Sequence, residues 1–134
     1  MTIQVGPATE EISVANVLYE FARLADEGTV EEIEDLLAPD MVWEMTGTVW
    51  RGRAEVVSGL ASLRELGYVG PGANTRHIVT NQQVTVEGEQ ATSVSRFLLV
   101  GCSAQAEIRA VGGYQDRLRR VDDRWLMAHR IVQD

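Results

Sequence analysis

The chain has 134 residues, 45% of them hydrophobic and 24% charged, so it falls in the globular range and is long enough to bury about two thirds of its unfolded surface in one core. No stretch approaches the ~18 apolar residues of a membrane-spanning helix, MTIQVGPATEE lacks the basic-then-apolar order of a secretion signal, and a lone Cys102 forms no internal bridge; a reducing, cytoplasmic setting is expected. A net charge of −8 argues against a nucleic-acid partner, and because all 12 basic residues are arginine, lysine Schiff-base and P-loop chemistry are excluded.

In chain order, Ile12, Val14, Ala15, Leu18, Phe21, Ala22 and Ala25 recur at helical spacing, with Thr9 as the expected N-cap and Glu10 and Glu11 in the first turn. Residues 1–8 are read as a loose extension of a single domain spanning 1–134. Thr29-Val30-Glu31-Glu32 fits a capping box, and Ile33, Leu36 and Leu37 form the apolar face of a short second helix stopped by Pro39. Met41–Met45 and Thr48–Arg51 are β-prone runs separated by Gly47, and a third helix runs from Ala54 to Leu66, ending at Gly67.

Beyond the turn-rich GYVGPGAN, HIVTNQQVTV and QATSVSRFLLV form a hairpin around Gly88. AEIRAVGGYQDRLRRV and RWLMAHRIV form a second hairpin hinged at Asp122-Asp123, with Gly112-Gly113 expected as a bulge or bend. Helices followed by long antiparallel strands predict an α+β fold: three N-terminal helices over a strongly curved, mostly antiparallel sheet, a cone with an internal pocket.

Two residues stand out for chemistry. At 100° per residue Asp26 shares the helix side of Ile12, Ala15, Tyr19 and Ala22, which aims a carboxylate inward beside small residues. It either lines a cavity or terminates the helix beside Gly28. His77 opens the first long strand and, at period two, shares a face with Val79, Asn81 and Gln83; it is either a hydrogen-bonded structural residue or a base. Tyr114, Asp116 and Leu118 share a face of a later strand, and Trp43, Trp50, Trp125 and Phe97 are read as core and cavity wall. Two distant histidines and one cysteine supply no zinc spacing, so no metal is expected, and GYVGPG stands in the wrong order for a dinucleotide loop. Cys102 is read as a small core residue.

The phrases LADEGTVEEIEDLLAPDMVWE, RHIVTNQQVTVEGEQAT and GGYQDRLRRVDDRWLMAHRIV resemble the SnoaL-like family of the nuclear transport factor 2 superfamily. That resemblance implies a cone-shaped α+β barrel and a cofactor-independent acid–base enzyme, a lyase, dehydratase or cyclase, acting on a small, largely apolar, carbonyl-bearing molecule. It also admits a non-catalytic binding or assembly module. It pairs Asp26 with His77 as the catalytic set, and places Tyr114, Arg130, Asp116, Tyr19, Phe21 and Trp43 around the substrate. Homodimers or homotrimers through the outer sheet face are likewise implied. Dehydratases of this type carry a tyrosine five residues before the helix aspartate, where this chain has Phe21. Chemistry of the ketosteroid isomerase kind would require Glu44 to rotate inward, because its base position aligns at or next to Met45 and its oxyanion-hole acid at Gly112.

Overall fold

The computed structural model describes residues 7–134. The elements are α1 (Pro7–Glu27), α2 (Val30–Glu34), β1 (Leu37–Met45), β2 (Thr48–Arg51), α3 (Arg53–Glu65), β3 (Thr75–Glu87), β4 (Gln90–Cys102), β5 (Ala106–Val121) and β6 (Arg124–Gln133). The six strands form one sheet in the order β2-β1-β6-β5-β4-β3, antiparallel except where β1 runs parallel to β6. The fold is the expected α+β one.

The N-terminal segment differs from expectation in detail. Pro7 and Ala8 already belong to α1, leaving only residues 1–6 of the expected extension outside the described residues, and Thr9 sits within the helix rather than capping it. Proline suits the first helical turn, where a missing N–H costs nothing. The α1 residues facing the core are Val14, Leu18, Phe21 and Leu24, packed with Ile33, Val56 and the sheet residues Leu37, Met41, Leu118 and Met127. Each such side chain contributes roughly 1.5–3 kcal/mol of burial. Ile12 lies outside this stripe and is exposed.

The Thr29 capping box is present, with Thr29 Oγ1 accepting from the Glu32 N–H and the Glu32 carboxylate accepting from the Thr29 N–H. The helix then ends at Glu34, earlier than Pro39 suggests. Its continuation is lost because the Met127 N–H donates to the Leu36 carbonyl, which draws residues 37 onward into a strand beside β6. Pro39 is tolerated in β1 because the pairing with β6 is irregular between Leu37 and Val42.

In β3 the register with β4 shifts between Thr80 and Gln83, and Asn81 takes a left-handed φ of 54°. A bulge of this kind swaps the faces that follow it. His77 and Val79 therefore share the inner side with Gln82, Val84 and Val86, not with Asn81 and Gln83. The β5–β6 turn matches expectation, with Asp122 and Asp123 both at positive φ as a two-residue hairpin of this hand requires. Cys102 is exposed near the β4–β5 tip rather than in the core. No helix among the described residues is long and apolar enough to cross a membrane.

Gly112 and Gly113 mark no bulge; both sit in regular register with β4, opposite Phe97 and Arg96. The reason for glycine at 112 is space, since a Cβ there would lie 2.5 Å from the Gln133 carbonyl oxygen and 2.6 Å from the Phe97 ring. Gly112→Ala is expected to destabilise the fold by about 1–3 kcal/mol, read as a lower urea midpoint at unchanged slope; an unchanged midpoint would show that the strand yields freely.

Candidate functional site

The last turn of α1 crosses β3, and there the side chains of Asp26 and His77 meet. The row Ile12, Ala15, Tyr19, Ala22 and Asp26 passes from exposed to buried along the helix as β3 closes over it: Tyr19 is 47% exposed and Asp26 only 6%. His77 Nδ1 lies 2.7 Å from Asp26 Oδ1, and the His77 backbone N–H donates to the same carboxylate, at 3.0 Å to Oδ2. An ionised carboxylate in this position requires the proton on Nδ1, which leaves the Nε2 lone pair of the neutral ring free to accept.

His77 borders a cavity of ≈ 150 Å³ bounded by α1, α3 and the inner sheet face. Phe21, Ala22 and Ala25 line it from α1, Leu60, Leu63 and Arg64 from α3, and Trp43, Met45, Phe97, Tyr114 and Val132 from the sheet, with Ile33 and Val69 closing the remainder. The Phe97 ring stacks on Tyr114 at 4.6 Å and lies 6.1 Å from the His77 ring. Nearly all of this wall is apolar; the lining residues that carry polar groups are His77, Tyr114, Arg64 and Trp43, whose buried indole N–H has no hydrogen-bond partner among the described residues.

Tyr114 is buried, and its hydroxyl has no hydrogen-bond partner among the described residues. Burial raises its pKa above the ordinary phenol value, the Arg130 charge opposes that, and the carboxylates of Asp116 and Asp26 add to it. The phenol is thus a neutral donor at physiological pH. Behind it, Arg130 is held by Asp116 in a two-pronged pair, Nε–Oδ1 2.7 Å and Nη2–Oδ2 3.0 Å, with both side chains buried. The guanidinium carbon sits 3.7 Å from the Tyr114 ring centroid, 4.8 Å from that of Phe21 and 5.6 Å from that of Trp43.

Of the residues singled out from sequence, Asp26 and His77 come together, and Phe21, Trp43 and Tyr114 line the cavity with His77. Arg130 and Asp116 lie behind the aromatic wall and do not line the cavity. Tyr19 faces an outer groove with Arg23, Arg76 and the far side of the Asp26–His77 pair. Glu44 points to the outer sheet face and is hydrogen-bonded there to His129 Nε2, so no carboxylate occupies the ketosteroid-type base position. The contribution of α3 was not anticipated, although the apolar spacing of Val56, Leu60 and Leu63 carries the signal. No cluster of ligands able to hold a metal exists among the described residues.

The SnoaL-like domain matches residues 7–131. This chain belongs to the SnoaL-like domain family. No curated protein matches it significantly. Among solved structures it resembles a protein of unknown function with a cystatin-like fold from Nostoc punctiforme, at a TM-score of 0.83 and 16% identity over 98% of this chain and 93% of that one. A nuclear-transport-factor-2-like protein with a cystatin-like fold from Novosphingobium aromaticivorans gives 0.76 and 25% identity, over 92% and 79% of the two chains. A scytalone-dehydratase-like protein of the same organism gives 0.74 and 18% identity, over 93% and 83%. These likenesses establish the cone-shaped fold of the SnoaL-like family.

The raised pKa of Tyr114 sets its contribution to stability. That contribution is fully present below the unfolded value near 10 and is lost as pH rises through the folded value. Ultraviolet titration of the protein's three tyrosines should show one late phenolate step that Tyr114→Phe removes; a titration unchanged by the substitution would contradict the burial argument.

Proposed function

We propose that the protein is a cofactor-independent acid–base enzyme of the dehydratase or cyclase type, acting on a small, mostly apolar, carbonyl-bearing molecule held in the cavity. The observation that carries this reading is the 2.7 Å Asp26–His77 contact at the wall of an otherwise apolar chamber. A chamber of ≈ 150 Å³ suits a molecule of about one ring. His77 Nε2 takes the proton from the carbon beside the carbonyl, Asp26 holds the tautomer and stabilises the imidazolium, and Tyr114 donates to the developing enolate oxygen. The imidazolium returns its proton to a β-hydroxyl group, which leaves as water, and the enolate electrons form the new double bond. Neither metal nor cofactor enters these steps.

Phe21 favours a second reading, a binding module that keeps the chamber without the reaction, because the phenol that dehydratase relatives place there is replaced by a hydrocarbon ring. In either reading the partner is a small hydrophobic molecule, the chain acts in the cytoplasm without nucleic acid or membrane, and copies associate through the outer sheet face, where Ile78 and Val94 are exposed.

A panel of monocyclic β-hydroxy ketones, followed by enone absorbance, tests the first reading. Asp26→Asn should keep the circular dichroism spectrum and lower kcat by as much as ~10⁴-fold, the scale seen when an orienting carboxylate is neutralised. Equal turnover by the variant would remove the pair from the mechanism. Phe21→Tyr should raise kcat on the same substrates by supplying a donor near the leaving hydroxyl; folded protein with unchanged kcat, or none, would favour the binding module.

A further inference from the structure

The carboxylate that orients His77 stands at an electrostatically unfavourable end of its helix. The C-terminus of α1 carries roughly half a negative charge from aligned peptide dipoles, and its last turn holds Asp26 and Glu27 with no basic residue. The last carbonyls of a helix also lack partners within it. Left alone, this turn would fray, and the side chain most displaced would be Asp26.

Arg76 of β3 lies 3.7 Å from the Glu27 carboxylate and the Gly28 N–H donates to the Leu24 carbonyl at 2.8 Å; further charge and donors come from α3. Arg64 Nη1 donates to the Gly28 carbonyl at 2.6 Å, and Nη2 donates to the carbonyls of Leu24 at 2.9 Å and Ala25 at 3.3 Å. These three groups bracket Asp26 in sequence. Arg64 forms no ion pair with any carboxylate among the described residues, whereas Arg130, Arg120 and Arg119 do. Gly70 (φ 96°) brings bare backbone against the Arg64 stem, where a Cβ would lie 3.0 Å from Cγ. Arg64 also lines the cavity. Among the described residues it thus both borders the chamber and donates to the backbone carbonyls at the end of the helix bearing the carboxylate.

We propose that Arg64 is a positioning residue: by capping the C-terminal carbonyls of α1 it holds the Asp26 carboxylate on His77 and so keeps the imidazole in its Nδ1–H tautomer. The proposal concerns the geometry of the pair and adds to the catalytic reading, on which its functional importance rests.

Long-range proton–nitrogen NMR of the two imidazoles, with hydrogen exchange of the His77 amide, tests it on the full chain without a substrate. In the wild type His77 should show a single Nδ1–H tautomer and a protected amide. Arg64→Met keeps the stem and removes the donors; it should give mixed His77 tautomers and about tenfold or faster exchange of the His77 amide, while His129 stays unchanged. Arg64→Lys keeps the charge but cannot reach three carbonyls at once, so it should fall between the two and carries the same test if Arg64→Met does not fold. Arg53→Met removes a comparable arginine-to-carbonyl contact, at 3.4 Å to Leu37, far from the pair, and should leave His77 as in the wild type. Unchanged His77 signals in both Arg64 variants, or equal changes in Arg53→Met, would overturn the proposal. A wild-type spectrum without the Nδ1–H signature would overturn the catalytic reading together with it, which keeps the two failures distinguishable.

Discussion

A carboxylate taken out of water must find donors to replace its hydration, and Asp26 finds them on a single residue, His77, through both its ring and its backbone N–H. The rest of the site depends on this arrangement. Because the backbone N–H is one of the donors, the carboxylate is tied to the path of β3 as well as to the imidazole. The ring is then fixed from two sides, by Asp26 at Nδ1 and by the Phe97 ring beside it. Helix α1 and strand β3 are 51 residues apart along the chain at this contact, so the pair is also the point where the helical layer is keyed to the sheet.

The second buried ionic group does a different job. Arg130 and Asp116 sit opposite each other on neighbouring strands, which is how β5 and β6 bring them into two-pronged geometry. A buried pair of this kind gains little stability over an apolar replacement, since desolvating both charges offsets most of their attraction. Its consequence here is orientation. The guanidinium carbon lies over the Tyr114 ring and within cation–π distance of Phe21 and Trp43, so three cavity-wall rings from α1, β1 and β5 are arranged around one buried charge. Breaking the pair from one side would leave a buried charge alone behind that wall.

Much of this was legible in the residues. Helical periodicity, the Thr29 capping box, the Asp122-Asp123 turn and the alternation of Tyr114, Asp116 and Leu118 are local patterns, and local patterns survive folding. What failed depended on contacts between distant segments. The helix row of Asp26 looks uniform on a wheel, yet Tyr19 and Ile12 on the same row are exposed whereas Asp26 is buried against His77 of β3. The Asn81 bulge reverses a face without any glycine to announce it, and the early end of α2 follows from a hydrogen bond to Met127, more than ninety residues away. Arg64 gave no signal on its own helix; its role is visible only once the carbonyls of α1 are in place.

The charged groups around the cavity share one design feature, in that each takes its hydrogen bonds from outside the chamber. Asp26 serves His77 from behind, Asp116 neutralises Arg130 behind the aromatic wall, and α1 carbonyls absorb the donors of Arg64. A molecule entering the chamber therefore breaks no ion pair; among the polar atoms it meets are a free imidazole nitrogen and an unpartnered phenol hydroxyl. A guest that buries the Tyr114 hydroxyl without accepting from it forfeits about 1–3 kcal/mol, because a desolvated donor is then left unmade. An apolar wall penalises polar atoms elsewhere on the guest in the same way. On the proposed reading, the chamber would select a compact hydrocarbon frame whose oxygen lies where Tyr114 can donate to it while an adjacent carbon faces His77.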